Sequence, residues 1–275
     1  MRTARFRIPD GPAVRAVPAP ESPNRRSVFP LLDAEAFAVN GPPRGFRIPV
    51  ISSRALTPTS HAIQIEKPAG FTFLPTQFTI LRLNTDLGPD ARRMSLASSP
   101  TRPYLEYAVR VSDSPYKKAF AALRPGDGVA LFGPIGDFVL RETRPAVFLA
   151  GGIGITSLKG MAEYAADKAL PIPIRLLYSS RNEEEIAYRA ELDALEKQNP
   201  NFRVVYTLTR STDDGWKGLT GRIDQRLLKE ATDGLVDPVY YVVGTPGMVA
   251  GTWRLLHDLG VPEDDIEFEA FHGYE

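Results

Sequence analysis

Ala146-Val147-Phe148-Leu149-Ala150-Gly151-Gly152-Ile153-Gly154-Ile155-Thr156-Ser157 is the stretch around which this chain is organised. Residues 146–150 have the length and composition of a strand buried on both faces. Gly151, Gly152 and Gly154 then remove the side chains that would hold a ligand away from the backbone, and Thr156 is placed to cap a following helix. The reading is strand, turn, helix. The free N–H groups and positive dipole end of such a helix suit an anion such as a pyrophosphate. Gly-Gly-x-Gly alone fits a tight structural turn as well as a nucleotide site, so the flanking sequence has to arbitrate.

Downstream of Arg144-Pro145, buried strand patterns at 146–150, 172–178, 202–207, 239–243 and 266–268 alternate with helical segments. This predicts a five-stranded parallel, doubly wound sheet over residues 144–275. The segment 183–198 is read as a helix, with Asn182 as its cap, Glu185 three residues on, and Tyr188, Leu192 and Leu195 on one face. No internal repeat is evident.

Upstream, residues 46–143 break into short strand-like runs at 48–51, 62–66, 78–83, 104–111 and 128–132. Leu105, Tyr107, Val109 and Val111 alternate with Glu106, Ala108 and Arg110, as a half-buried antiparallel strand requires. A small antiparallel barrel is the economical closure. Ser114 and Pro115 read as N-cap and first residue of a short helix ending near Leu123, before the turn Pro125-Gly126-Asp127. Residues 1–45 are rich in Arg and Pro, with little periodicity beyond 31–37, and are expected to be a largely irregular extension.

Composition narrows the chemistry. The 275 residues are long enough for two cores, and 43% hydrophobic with 24% charged residues is ordinary globular usage. Lys plus Arg equals Asp plus Glu at 33 each, so nothing favours nucleic acid or an anionic membrane surface as partner. No apolar run approaches the ~20 residues of a membrane span, the N-terminus lacks a secretory apolar core, and a cytoplasmic location is expected. The absence of cysteine rules out disulfides, a thiol nucleophile and Cys-ligated zinc or iron–sulfur sites in these residues. His61, His257 and His272 are scattered, so no metal site is expected.

Four stretches carry candidate chemistry. Arg92-Arg93-Met94-Ser95-Leu96-Ala97-Ser98 is read as following a barrel strand and a polar turn. Its arginine suits a phosphate and its serine hydroxyl a heterocycle, although a surface Arg pair beside a turn serine has the same appearance. Ser114, with a helix N-terminus behind it and Lys117 and Lys118 beyond, is a further anion site. The third is the 151–156 loop. The fourth, Gly244-Thr245-Pro246-Gly247-Met248, also lies at the C-terminal end of a predicted strand, where open α/β sheets bind ligands.

Taken in order, Arg92-x-x-Ser95, Ser114-Pro115-Tyr116, Gly133-Pro134-Ile135-Gly136, Gly151-Gly152-Ile153-Gly154-Ile155-Thr156, Tyr178-Ser179-Ser180-Arg181 and Val243-Gly244-Thr245-Pro246 resemble the ferredoxin-NADP reductase superfamily over about residues 46–275. The resemblance implies a flavin-binding barrel followed by a nicotinamide-nucleotide domain, with FAD and NAD(P)H as cofactors. It implies that Arg92 binds the flavin phosphate, that Ser95 sits near the reacting edge, and that Ser114, Pro115, Tyr116 and Lys117 hold the FAD pyrophosphate. Met94, Leu96, Val109, Arg110 and Val111 complete the flavin-side set. Gly151, Gly152, Gly154, Ile155 and Thr156, with Gly244, Thr245, Pro246 and Met248, form the nucleotide side. Glu269 resembles a family carboxylate near the flavin, and Phe271 or Tyr274 would shield the ring.

The chain departs from the family at several positions. Met94 replaces a tyrosine, Ser157 a proline, Val243 a cysteine near the nicotinamide, and Thr76 a glycine read as structural. Ser180, Arg181, Arg210 and Arg222 favour a 2′-phosphate while Glu183, Glu184 and Glu185 oppose one, which leaves NADH and NADPH both open. The expected activity is hydride transfer from NAD(P)H to FAD and onward to a separate acceptor: a ferredoxin, an oxygenase component, a free flavin or a ferric chelate. Two other classes compete. One is a non-catalytic flavin-binding or electron-transfer scaffold subunit. The other is a metabolite dehydrogenase, which needs a catalytic His or Lys at the crevice that the sequence does not offer.

Overall fold

The computed structural model describes residues 47–210 and 215–271. The extension 1–45, His272 and Tyr274 lie outside the described residues. β1 (Ile48–Thr57), β2 (Ser60–Glu66), β3 (Phe78–Thr85), β4 (Gly88–Ser95), β5 (Tyr104–Arg110) and β6 (Gly128–Ile135) form an antiparallel six-stranded sheet in the order β4-β3-β6-β1-β2-β5. Its two end strands converge, because the Ala97 N–H just beyond β4 donates to the Glu106 carbonyl of β5 at 2.8 Å. Between β5 and β6 comes α1 (Pro115–Ala122), with Ser114 at the N-cap and Pro115 at the first position, as expected. Tyr116 and Phe120, four residues apart, both bury in the barrel core beside Ile63, Leu81 and Tyr107.

Three strand expectations need correction. Arg92 to Ser95 is strand rather than turn: β4 pairs with β3 from Phe78↔Ser95 to Thr85↔Gly88. Two adjacent exposed arginines in the middle of β4 hide its alternation. β1 continues to Thr57 because register shifts near Ser52 and Ala55 break its period without ending it. β5 is buried on both faces and ends at Arg110 rather than Val111. Leu105, Tyr107 and Val109 fill the barrel, whereas Ala108 packs with the core of the second sheet, which makes the half-buried reading incorrect.

The second sheet contains β7 (Ala146–Gly151), β8 (Ile174–Ser180), β9 (Phe202–Leu208), β10 (Leu219–Thr220), β11 (Val239–Gly244) and β12 (Ile266–Ala270), in the order β10-β9-β8-β7-β11-β12. All its pairings are parallel, and it has six strands rather than five, since two-residue β10 is too short to show a pattern. Helices α2 (Ile155–Asp167), α3 (Arg189–Gln198), α4 (Gln225–Thr232) and α5 (Pro246–Asp258) cover its two faces. Phe148 and Ala150 pack with Leu158 and Met161 of α2 in one layer. Val147 and Leu149 pack with Leu227 of α4 and Leu256 of α5 in the other. Alternate side chains of one strand thus anchor opposite layers, as a doubly wound sheet demands.

Two helix starts differ from expectation. Thr156 does not cap α2: it lies inside the first turn, and its hydroxyl donates to the Ile153 carbonyl at 3.1 Å. The predicted helix 183–198 begins only at Arg189, after a 3-10 turn (Glu183–Glu185) and Tyr188 at φ +60°. Asn182 makes no side-chain cap, although Tyr188, Leu192 and Leu195 are buried together. Thr76 sits at φ +74°, a region glycine enters freely, and donates to the Phe138 carbonyl.

The seam between the sheets joins the small apolar side chains Ala62, Ala97 and Ala108 to a polar margin. Thr59 of the β1–β2 turn donates to Glu185 at 2.5 Å, and Arg54 of β1 meets Glu191 of α3 at 2.7 Å. Among the described residues no helix is long and apolar enough to cross a membrane.

Candidate functional site

A cleft of about 670 Å³ opens at the C-terminal ends of β7, β8 and β11, a size typical of small-molecule sites. Gly151 and Gly152 leave β7, and Gly244 leaves β11, the strand pair that flanks the switch in strand order. The glycines do different work. A Cβ on Gly152, at φ +53°, would meet nothing within 4 Å, so this backbone is bare toward the cleft. A Cβ on Gly154 would stand 2.6 Å from the Val243 carbonyl oxygen, so Gly154 lets the start of α2 close on β11. The Met248 side chain lies against both Gly151 and Gly244. Thr245 caps α5 by accepting from the Met248 N–H at 3.4 Å, with Pro246 behind it. Ile155, Thr156 and Val243 are buried in the layer beneath rather than on the lining.

Ser180, Arg181 and Arg222 line the outer end of the cleft, together with Arg110 from the barrel. The Arg181 guanidinium is held below its ordinary range by burial and by Arg110 and Arg210, with Glu185 opposing. Of the glutamates expected to repel a phosphate, one is ion-paired and another lines the cleft beside Arg181. Glu183 pairs with Arg189, and Glu185 accepts from Thr57 and Thr59.

On the barrel side, Lys117 is held below the usual lysine range by burial, then by Arg110 and Arg92. Three cations therefore gather at the N-terminal turn of α1, beside the Ser114 N-cap. Arg92 ion-pairs with Asp90 and stands 5.5 Å over the Tyr116 ring. The Tyr116 hydroxyl is satisfied by the Leu81 carbonyl at 2.9 Å. Met94, Leu96 and Val109 also point into the barrel core, while Val111, past the end of β5, bonds the Thr59 carbonyl through its N–H at 2.8 Å.

Glu269 joins the two halves. Its carboxylate accepts from Ser157 at 2.9 Å and from Ser95 at 3.3 Å. Burial pushes its pKa up, and the two serine hydroxyls oppose that rise. Phe271, two residues on, donates its N–H to the Gly244 carbonyl at 2.9 Å and lines the cleft. The Arg92–Ser99 segment is thus joined through Glu269 to the strand whose end carries Phe271 into the Gly151 crevice. Ser60, Thr209 and Gln225 also line the cleft and were not anticipated. Ser60 begins β2, Thr209 follows β9 and Gln225 begins α4, positions at element ends without a pattern of their own.

Residues 148–253 match the family described as oxidoreductase NAD-binding domain. The chain is 29% identical over 206 residues to a component of the Na(+)-translocating NADH-quinone reductase of Methylococcus capsulatus, covering 67% of this chain and 50% of that protein. It thus spans half the length of that relative. It is 29% identical over 227 residues to ferredoxin–NAD(P)(+) reductase CarAd of Metapseudomonas resinovorans, covering 81% and 68%. Among solved structures, the ferredoxin reductase in carbazole 1,9a-dioxygenase superposes with a TM-score of 0.72 at 26% identity, over 83% of this chain and 69% of that one. A ferredoxin NADP+ reductase from Neisseria gonorrhoeae with bound FAD and NADP shares the fold, with a TM-score of 0.71 at 24% identity, over 82% and 98%. A curled antiparallel sheet set against a doubly wound one, with a glycine cleft at their junction, is the fold of these ferredoxin reductase-like structures, and residues 148–253 carry the oxidoreductase NAD-binding domain.

Proposed function

We propose that this chain is an FAD-dependent NAD(P)H oxidoreductase that takes hydride from NAD(P)H and hands electrons to a separate acceptor. Residues 46–143 form the flavin half and 144–275 the nucleotide half. The observation that carries this reading is the Ser95–Glu269–Ser157 bridge, which ties a barrel strand to the nucleotide-side helix two residues before Phe271 lines the glycine cleft. The residues fit both groups. Gly152 leaves backbone open to a dinucleotide, and Arg92, Arg110 and Lys117 converge where a flavin pyrophosphate needs positive charge.

A bound flavin supplies the two-electron chemistry and can release electrons singly. The protein's own part is to orient the two ring systems and exclude water. The cleft floor of Gly151, Gly244 and Met248 presents no charged side chain, while Arg181 and Arg222 fix the charged end of the nucleotide. Glu269 holds a proton beside Ser95 to a higher pH than a free carboxyl would.

No cysteine stands in these residues, so a Cys-ligated iron–sulfur acceptor lies outside them. A redox protein such as a ferredoxin is the favoured acceptor, supported by the reductase named among the relatives. A cytoplasmic location, where the nicotinamide pool resides, belongs to the same proposal and is checked by fractionation. The central test is an absorption spectrum before and after anaerobic NADH or NADPH addition. A yellow protein bleached by either nucleotide is expected. Colourless protein that takes up neither cofactor would point instead to a scaffold subunit.

A further inference from the structure

Helix α2 starts in the glycine loop and runs alongside residues 96–99, the segment that leaves Ser95. The two approach closely: a Cβ on Gly160 would stand 3.1 Å from the Leu96 carbonyl oxygen and 3.2 Å from that of Ser98. Beside this contact, Lys159 is only 2% exposed. Its ammonium donates to the Ala97 carbonyl at 3.2 Å and to Glu163 at 2.7 Å, and lies 4.8 Å from the Tyr188 ring centroid. Glu163 in turn accepts the Ser99 N–H at 3.1 Å. On its other side the segment is held by β5, through Ala97 N–H to the Glu106 carbonyl at 2.8 Å and Glu106 N–H to the Ser98 hydroxyl at 3.0 Å.

None of Lys159, Gly160 and Glu163 lines the cleft. A buried lysine–glutamate pair is weak evidence for stability, because desolvation offsets most of the attraction. What the pair does supply is direction: two charge-assisted bonds to two backbone groups allow one placement of the helix against the segment. We propose that Lys159, with Glu163, is a positioning residue that fixes the approach of α2 to segment 96–99, and so the separation of hydride donor and acceptor. The proposal rests on the oxidoreductase reading and deepens it.

The test compares Lys159→Met, the charge-free double variant Lys159→Met/Glu163→Gln, and Lys159→Arg as the conservative control. Three quantities are read: the anaerobic flavin-reduction rate at saturating nucleotide, nucleotide Kd by equilibrium titration, and amide exchange of residues 96–99 in the flavin-free protein. Small misplacement of reacting groups is costly, so the double variant should lose roughly tenfold or more in reduction rate. Its nucleotide Kd and flavin content should stay within about twofold, segment 96–99 should exchange faster, and Lys159→Arg should recover most of the rate. The double variant keeps the proposal testable if Lys159→Met, which leaves the part-buried Glu163 with only Arg102, at 4.0 Å, as a cationic partner, fails to fold. Equal reduction rates in wild type and double variant overturn the proposal, as does a rate loss matched by an equal rise in Kd. Unchanged exchange at 96–99 overturns it too. Failure of the unmodified protein to be reduced by either nucleotide overturns the functional reading, and this proposal with it.

Discussion

Ser157 on α2 donates to Glu269 on β12 at 2.9 Å, a shorter bond to that carboxylate than the one from Ser95 on β4 at 3.3 Å. The position read from family resemblance as a lost proline is therefore an extra hydroxyl on the carboxylate. Burial raises the folded-state pKa of Glu269 above its unfolded value. The stability contributed by its protonated form is full below the ordinary carboxylate range and is lost as pH rises through the raised value. Ser157→Ala removes a bond that favours the ionised form, so at neutral pH it should cost roughly 1–3 kcal/mol. Glu269→Gln should escape the loss, its Tm advantage over wild type widening from the ordinary carboxylate range upward. Parallel Tm–pH curves for wild type and Glu269→Gln would contradict the assignment.

The two glycines of the loop should separate binding from folding. Gly154→Ala drives a methyl into the Val243 carbonyl and should destabilise by roughly 1–3 kcal/mol, as overpacking does. Gly152→Ala meets open space and carries only the strain of a positive φ, about 1 kcal/mol. Its main effect should be on nucleotide affinity, because the added methyl projects where the backbone is bare. Denaturant titration and equilibrium nucleotide binding on both variants check this, and equal losses of stability would refute the division of roles.

Arg92→Ala should weaken flavin retention while leaving stability nearly unchanged. The Arg92–Asp90 pair is half-exposed on the edge strand β4, with the arginine side chain 53% accessible, and such pairs contribute about 0–1 kcal/mol. Its removal from the Arg92–Arg110–Lys117 cluster, by contrast, takes away one of three charges that suit a pyrophosphate. Flavin-to-protein ratio after gel filtration is the measurement. Wild-type retention would show that the cluster serves another purpose.

What could be read in advance follows from burial. β7 and β11 are covered on both faces, so their unbroken apolar runs announced them. β4 escaped notice because an edge strand carries charges where it faces water, and Arg92 and Arg93 occupy successive positions there. Tyr188 has the spacing of a helix residue but sits at a left-handed backbone position, where periodicity is blind to the dihedral angle. Lys159 could not be foreseen at all. A lone lysine in a helix reads as solvated surface, and only the arrival of segment 96–99 buries it. Glu269 was legible through family resemblance but not its two serine donors, which come from strands and helices far apart in the chain.

Nucleotide discrimination turns on the same balance of charges. Arg181 lies within reach of the fields of Arg110 and Arg210 and of the opposing Glu185, while Glu183 is paired with Arg189. The cation excess at the end of β8 suits a group carrying extra negative charge, such as a 2′-phosphate. Arg181→Ala should therefore raise Kd for NADPH by roughly tenfold or more, since a charge-assisted bond is worth about 1.5–3 kcal/mol, and change Kd for NADH far less. The gap should shrink with added salt, because screening weakens a partly exposed arginine cluster. If Arg181→Ala shifts both affinities equally, the cluster contacts a part of the nucleotide that NADH and NADPH share.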